Sequence, residues 1–258
     1  VLMLQKGTFI RPLPEDGSVT PLSPLRIRAE IFYHAVPFTK ILFMANLSLG
    51  LLALGWWVYS CLIRGGDKIR SWRSRGRQIW VGAVWMACLF HWTSYLLRWY
   101  IGGRIPLGNG HETMLFLAGF LLLCTCIWQR RFSFLLPAGL LLSGFTLLVA
   151  YLSEMNPQIT PLMPVLLSPW LSLHVSLIMV SYALFALMCL CSILALSIRR
   201  HTWQRQRLTL FCRVLLYPAV LCLGIGIFIG AVWANVSWGS YWAWDPKEVW
   251  ALITFMLY

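Results

Sequence analysis

Charge is what this chain has least of. Asp, Glu, Lys and Arg together make up 11% of the 258 residues, against about 25% in a soluble domain. Hydrophobic residues make up 59%, and the mean hydropathy is +0.72. This excludes an ordinary water-soluble enzyme and implies a chain whose apolar surface is solvated by a lipid bilayer. Acidic residues are scarcest, 8 against 21 Lys and Arg, for a net charge of +13. Such an excess would suit a nucleic-acid binder if it were gathered on one surface. Here the basic residues fall between apolar runs, where they act as topology signals, and no nucleic-acid partner is expected. The eight cysteines contain no Cys-x-x-Cys pair. Their close pairs, Cys124-Thr-Cys126 and Cys189-Leu-Cys191, lie within apolar runs, so packing rather than redox exchange is indicated. Residues 1–36 are polar and proline-bearing and lack the apolar core of a signal peptide. The chain starts at Val1 and stops at Tyr258 inside an apolar run, which reads as a portion of a longer protein.

Long apolar runs are abundant. Stretches able to cross about 30 Å of hydrocarbon at 1.5 Å per residue occur near 38–63, 78–101, 112–128, 134–153, 170–197 and 214–234, and another begins near 249. The connections between them alternate in charge. The segments 64–77 (Arg64, Lys68, Arg70, Arg73, Arg75, Arg77), 129–131 (Arg130, Arg131) and 198–213 (Arg199, Arg200, Arg205, Arg207, Arg213) are basic, whereas 98–111, 154–169 and 235–248 hold only Arg98, Arg104 and Lys247. The excess of Lys and Arg on cytoplasmic connections puts the first set inside and the second set outside, in the periplasm of a bacterium. Lys6, Arg11, Arg26 and Arg28 run against an outward amino-terminal segment, but three alternating connections outweigh one tail. The predicted fold is all-α: a polytopic integral membrane helical bundle with six complete spans and the start of a seventh. Residues 1–36 form an extracytoplasmic amino-terminal segment or fusion junction, and 37–258 form the membrane domain.

Within 233–250 stand Trp233, Trp238, Trp242, Trp244 and Trp250, five of the 15 tryptophans. Tryptophan collects at membrane interfaces in any case, but an aromatic belt is scattered over many helix ends. It does not require the Gly239, Asp245 and Pro246-Lys247-Glu248 interleaved here. WGSYWAWDPKEVW reads as a tryptophan-lined platform outside the membrane, with Asp245, Lys247 and Glu248 fixing the loop or holding a polar ligand edge. A large flat hydrophobic ligand with charged edges suits such a surface, and haem is the obvious candidate.

WGSYWAWDPKEVWALIT also resembles the tryptophan-rich "WWD" signature of the CcsA-type (ResC-type) cytochrome c assembly proteins, the membrane haem-handling half of the System II cytochrome c synthase. RWYIGGRIPLGNGHETMLFLAG (98–119) resembles the family's Gly-x-x-Pro-x-x-Asn-x-x-Glu outer loop. SPWLSLHVSLIMVSYALF (168–185) resembles the helix that bears an outward-facing haem-ligand histidine. These segments cover roughly 80–258. RIRAEIFYHAVPFTKILFM (26–44) resembles the junction of fused forms, in which a CcsB-like partner precedes the CcsA-like part.

The resemblance implies that two external histidines flank the tryptophan loop and ligate haem iron. His174 matches the first; apart from the resemblance, the alternative is a membrane histidine hydrogen-bonded to a neighbouring helix. His174 follows Pro169 by five residues, about 7 Å along a helix, within reach of the loop, and an intramembrane ionisable residue is a functional candidate by default. The second external histidine, and a further one in the next helix, are expected beyond Tyr258. Trp238, Gly239, Trp242, Trp244, Asp245, Lys247 and Glu248 complete the implied haem site. His91 shares a helix face with Tyr95 and Arg98, and two readings stand: a haem path with Arg98 or Arg104 meeting propionates, or a structural hydrogen-bond ladder closed by Glu112. His34, His111 and His201 are not expected to be ligands.

Carried over, the implied activity is that of a holocytochrome c synthase. Haem b, as substrate, is held at the periplasmic face of the inner membrane and presented to an apocytochrome c, whose Cys-x-x-Cys-His thiols add across the vinyl groups. A CcsB/ResB-like partner, separate or fused, is also implied. The alternative from another class is a haem or small-molecule exporter without ligation chemistry.

Overall fold

The computed structural model describes residues 24–62, 67–153, 158–159, 163–197 and 202–258. Lys6, Arg11, Arg64, Arg199, Arg200 and His201 lie outside the described residues, as do parts of the expected connections 64–77, 154–169 and 198–213. Every regular element among the described residues is helical, as hydrocarbon requires of a chain that must bond its own backbone polar groups. The order is α1 (Pro24–Ala35), α2 (Phe38–Leu62), α3 (Asp67–Gly102), α4 (Gly110–Trp128), α5 (Leu135–Leu152), a single 3-10 turn (Pro164–Leu167), α6 (Pro169–Ser197), α7 (Thr202–Trp238) and α8 (Pro246–Leu257). Six stretches are long and apolar enough to span a membrane: 38–59, 75–102, 110–128, 135–152, 169–196 and 205–238. These are the six expected spans, and the polytopic helical bundle holds.

The ends of the elements differ from expectation. α3 is 36 residues long and α7 is 37, about 54–56 Å each, because both helices continue through segments read as basic loops. Lys68 to Arg77 lie in the first turns of α3, and Arg205, Arg207 and Arg213 lie in the first half of α7. Arginine and lysine are good helix formers, and no glycine or proline interrupts 202–213. The sixth span therefore begins near 205 rather than 214. α1 is a helix where only a polar tail was read.

The chain divides into two compact units, residues 1–164 and 165–258. In the first, α2 and α5 approach closely at reciprocal small residues. A Cβ at Gly50 would stand 2.8 Å from Leu141 Cγ, and one at Gly144 would stand 2.8 Å from Leu47 Cγ. Beside this crossing the Asn46 amide donates to Ser143 Oγ at 3.1 Å, with both residues fully buried. Small residues plus one interhelical hydrogen bond hold helices together where lipid removes the hydrophobic drive.

The outer end of this unit is organised by Glu112 on the first turn of α4. Asn109 caps that helix by accepting the Glu112 N–H at 2.8 Å. The Glu112 carboxylate accepts from Arg98 Nε and Nη2 at 3.0 Å each, from Arg104 Nη1 at 2.9 Å and from the Gly108 N–H at 2.8 Å. Arg98 also donates to Tyr33 Oη of α1 at 3.4 Å and to the Gln158 carbonyl at 3.1 Å. Gly103 meets two demands. Its φ is +65°, and a Cβ there would lie 2.6 Å from Arg26 Nη2, whose Nε donates to the Ile101 carbonyl at 2.8 Å. The loop 102–109 is thus clamped from both sides.

Arg98 and Glu112 are each 1% exposed. Removing one partner leaves the other buried and unpaired, which costs about 3–5 kcal/mol. Glu112→Ala and Arg98→Ala are expected to lower the thermal stability of the detergent-purified protein strongly. The double variant Arg98→Met/Glu112→Leu should recover part of that loss, because Arg104, at 15% exposure, can turn to water. Melting curves of the three variants check this.

Candidate functional site

The second unit carries the histidine and the tryptophan cluster. α6 starts at Pro169, the residue from which the depth of His174 was counted, since proline's missing N–H costs nothing on the first turn. His174 is half-buried against α7. Its Nδ1 lies 2.7 Å from the Gly226 carbonyl oxygen, and a Cβ at Gly230 would stand 2.5 Å from the ring's Cε1 and Nδ1. One turn further along α6, Ile178 meets Gly226 in the same way, with Cδ1 2.8 Å from the position of its Cβ. The α6 face carrying His174 and Ile178 is thus laid into an α7 face made of glycine.

Gly226, Gly230 and Trp233 follow one another at i, i+4 and i+7 and share that face of α7. Trp233 stands about 4.5 Å beyond Gly230 along the axis. Its ring meets that of Trp238 edge-on at 6.3 Å, so the histidine and the first two tryptophans follow one another along one stretch of helix.

The tryptophan loop is shorter than read. α7 runs to Trp238 and α8 begins at Pro246, so the irregular backbone is 239–245 rather than 235–248. Gly239 ends α7 at φ +78° and donates its N–H to the Asn235 carbonyl at 2.9 Å, the left-handed stop that glycine adopts freely. Trp244 has φ +57°, a conformation that costs a bulky residue roughly 1–3 kcal/mol. The residues on either side hold it there. Asp245 caps α8 by accepting the Glu248 N–H at 2.8 Å, and Glu248 Oε2 accepts the Ala243 N–H at 2.9 Å. Of the two roles read for these carboxylates, both side chains are engaged in fixing the loop. Lys247 is exposed.

Trp238, Trp244 and Trp250 are 67%, 72% and 68% exposed, while Trp233 and Trp242 are half-buried. Trp242 meets Trp244 edge-on at 5.9 Å. The Nε1 atoms of Trp233 and Trp242 are buried without a hydrogen-bond partner among the described residues. An apolar cleft lined by Tyr217, Leu221, Phe228, Phe255 and Tyr258 opens elsewhere on α7 and α8, and His174 does not line it.

The other candidates belong to the first unit. His91 is buried, with Nε2 2.9 Å from the Leu115 carbonyl oxygen. Tyr95 Oη donates to the Pro106 carbonyl at 3.3 Å, and Arg98 is held by Glu112. These three side chains share a face but bond to different places: His91 to α4, Tyr95 to the outer loop, and Arg98 to Glu112, Tyr33 and the Gln158 carbonyl. His111 sits on the buried first turn of α4, its Nε2 3.0 Å from Thr39 Oγ1. Sequence reading missed Gly226 and Gly230. The signal was the four-residue spacing of glycines in GIGIFIG (224–230), the small-residue spacing of close membrane helix contacts.

Residues 107–258 match the family described as Cytochrome C assembly protein, a stretch that takes in Glu112, His174 and the whole tryptophan loop. Protein NrfI of Wolinella succinogenes is 38% identical over 182 residues, 67% of this chain and 20% of that protein. The cytochrome c biogenesis protein CcsA of Chlamydomonas reinhardtii is 38% identical over 180 residues, covering 63% of this chain and 50% of that one. CcsA of Trieres chinensis is 34% identical over 206 residues, covering 62% and 65%. The chain therefore spans between a fifth and just under two thirds of the length of these relatives. With the tryptophan loop, the histidine helix and more than half of its length inside the match, the chain belongs to the cytochrome c assembly protein family.

Proposed function

We propose that this chain is the haem-handling membrane part of a holocytochrome c synthase. It binds haem b as its substrate and presents it to an apocytochrome c for thioether attachment at Cys-x-x-Cys-His. The observation that carries the reading is His174, an imidazole whose Nδ1 is engaged by a backbone carbonyl and whose Nε2 has no partner among the described residues. It stands one to two turns into α6 on the side of the tryptophan cluster. The donor set fits haem: one imidazole nitrogen for iron, exposed indole faces for the macrocycle, and two indole N–H groups, those of Trp233 and Trp242, that lack an acceptor and suit a carboxylate edge.

In this reading His174 would hold the haem iron through Nε2 from the outer face. Trp238, Trp242 and Trp244 hold the ring, Gly239 sets the turn between them, Asp245 and Glu248 hold the loop in shape, and Lys247 offers a charge to the rim. His91 and Arg98 take structural roles rather than lining a haem path: Arg98 frames the outer loop 102–109 with Tyr95 and Glu112, and His91 ties α3 to α4 through the Leu115 carbonyl. Haem, when bound, supplies the vinyl groups to which the substrate thiols add, so the chain needs no nucleophile of its own. Its contribution is proximity and orientation. The tryptophan loop faces the periplasm, the basic ends of α3 and α7 lie in the cytoplasm, and a CcsB/ResB-like partner completes the working unit in the inner membrane.

Replacing His174 by Ala is expected to lower haem occupancy and cytochrome c maturation, with added imidazole restoring part of both by filling the coordination position. An unchanged absorption spectrum together with normal maturation overturns the assignment. Reconstitution distinguishes synthase from exporter, since the first yields covalent c-type cytochrome and the second releases free haem.

Single Trp→Ala changes at 238, 242 and 244 remove stacking worth on the order of 1–3 kcal/mol each, so haem retention on a size-exclusion column should fall by degrees. Asp245→Asn preserves a helix cap and should retain haem. Asp245→Ala removes a cap worth about 1 kcal/mol and should release the Trp244 conformation. If Asn fails as badly as Ala, the carboxylate acts through its charge rather than as a cap.

A further inference from the structure

We infer that Gly230 and the backbone carbonyl of Gly226 are positioning elements for His174: the carbonyl selects the imidazole tautomer that leaves Nε2 as the ligating nitrogen, and the missing side chain at Gly230 admits the ring to that carbonyl. The inference rests on the proposed role of His174 as a haem ligand and adds which nitrogen binds and what sets it.

A carbonyl oxygen can only accept. At 2.7 Å from the Gly226 oxygen, Nδ1 must therefore carry the proton, and in a neutral imidazole the lone pair then resides on Nε2. Gly226 lies inside a helix, where its oxygen also faces the N–H four residues on, and a carbonyl has two lone pairs for the two donors. Metal-binding histidines in general are oriented by a second hydrogen bond of this kind, which fixes the tautomer and raises the basicity of the ligating nitrogen.

The ring reaches that carbonyl only because position 230 lacks a Cβ. The nearest ring atoms would be 2.5 Å from it, closer than any real contact. The obstacle is a ring held by its own hydrogen bond and the α6 backbone, not the free end of a flexible side chain. Alanine at 230 therefore has to displace the imidazole itself. At Gly226 a Cβ would stand 2.8 Å from Cδ1 and 3.1 Å from Cγ1 of the buried Ile178. The two glycines thus serve His174 differently: 226 offers its carbonyl and the space for Ile178 beside it, and 230 offers the space for the ring itself.

The test uses the full chain with nitrogen-15-labelled histidine, haem titrations followed by absorbance, and reduction potentials of the loaded protein. Without haem, His174 should show a protonated Nδ1 and a bare Nε2, and Gly230→Ala should shift it to a mixture of tautomers. Gly230→Ala should weaken haem binding about 10–100-fold, the range seen when an outer partner of a ligating histidine is lost, and added imidazole should restore it. Replacing His174 with Nδ1-methylhistidine removes the N–H but keeps Nε2. It should weaken binding similarly and raise the potential, because a less basic ligand favours ferrous over ferric iron. Gly55→Ala, where a Cβ meets nothing within 4 Å, is the substitution control.

A protonated Nε2 in the haem-free protein overturns the inference. So does a Gly230→Ala defect that the methylhistidine variant does not share, which would make the glycine a packing residue only. If His174→Ala loses haem while both other variants bind normally, the ligand assignment stands and the inference fails. If His174→Ala itself binds normally, the ligand assignment fails.

Discussion

A carboxylate with 1% of its surface exposed at the head of a membrane helix is the constraint around which the first unit is arranged. An ionised group removed from water is costly unless opposite charge and hydrogen bonds replace its hydration. Glu112 is met by two guanidinium groups and a backbone N–H. Each of those donors comes from a different place: the end of α3, the loop after it and the turn before α4. Through Arg98 the cluster also reaches Tyr33 and the carbonyl of Gln158. The motif Gly103-x-x-Pro106-x-x-Asn109-x-x-Glu112 then divides into physical tasks. Gly103 supplies a left-handed turn against Arg26, Pro106 a carbonyl for Tyr95, Asn109 the helix cap, and Glu112 the anchor.

The second unit reaches rigidity by the opposite route, with empty space in place of charge. Glycines at 226 and 230 bring α6 close enough for an imidazole to bond to the α7 backbone. Strain is confined to the next segment, where Trp244 is held left-handed between Ala243 and Asp245. Both of those flanking residues are tied into the start of α8, one through its N–H to Glu248 and the other as the cap. An observed outlier at a tryptophan, pinned on both sides, is the kind of local cost that persists where the surrounding bonds over-determine it.

How far these features could be read from the sequence follows from how local their causes are. The six spans were legible because hydrocarbon leaves the backbone almost no alternative to a helix. Their ends were not, because arginines and lysines continue a helix as readily as leucines, and nothing between 202 and 213 stops one. The place of His174 five residues into α6 was legible from Pro169. The acceptor of its hydrogen bond was not, since it lies 52 residues away on another helix. The tryptophan cluster stood out in composition, yet two of its five members proved to be α7 residues, Trp233 and Trp238, because no glycine or proline stands between Trp233 and Gly239. His91, Tyr95 and Arg98 were correctly placed on one face, but the face alone did not give their partners: Leu115 and Pro106 for the first two, and Glu112, Tyr33 and Gln158 for Arg98.

The distribution of stiffness within the second unit bears on how such a site could hold and yield a large ligand. The imidazole belongs to a 29-residue helix packed along α7, and its orientation is set by bonds that no loop movement disturbs. The tryptophans at 242 and 244 belong to a seven-residue connection whose conformation depends on one helix cap and one side-chain bond to an amide. Each of those interactions is worth about 1 kcal/mol, comparable with the strain they hold in check. A ligand gripped by both parts therefore meets a fixed point on one side and a marginally stable wall on the other. Changes in the wall cost little and leave the fixed point in place. Precision resides in the histidine helix, and adaptability is confined to the few residues between Gly239 and Asp245.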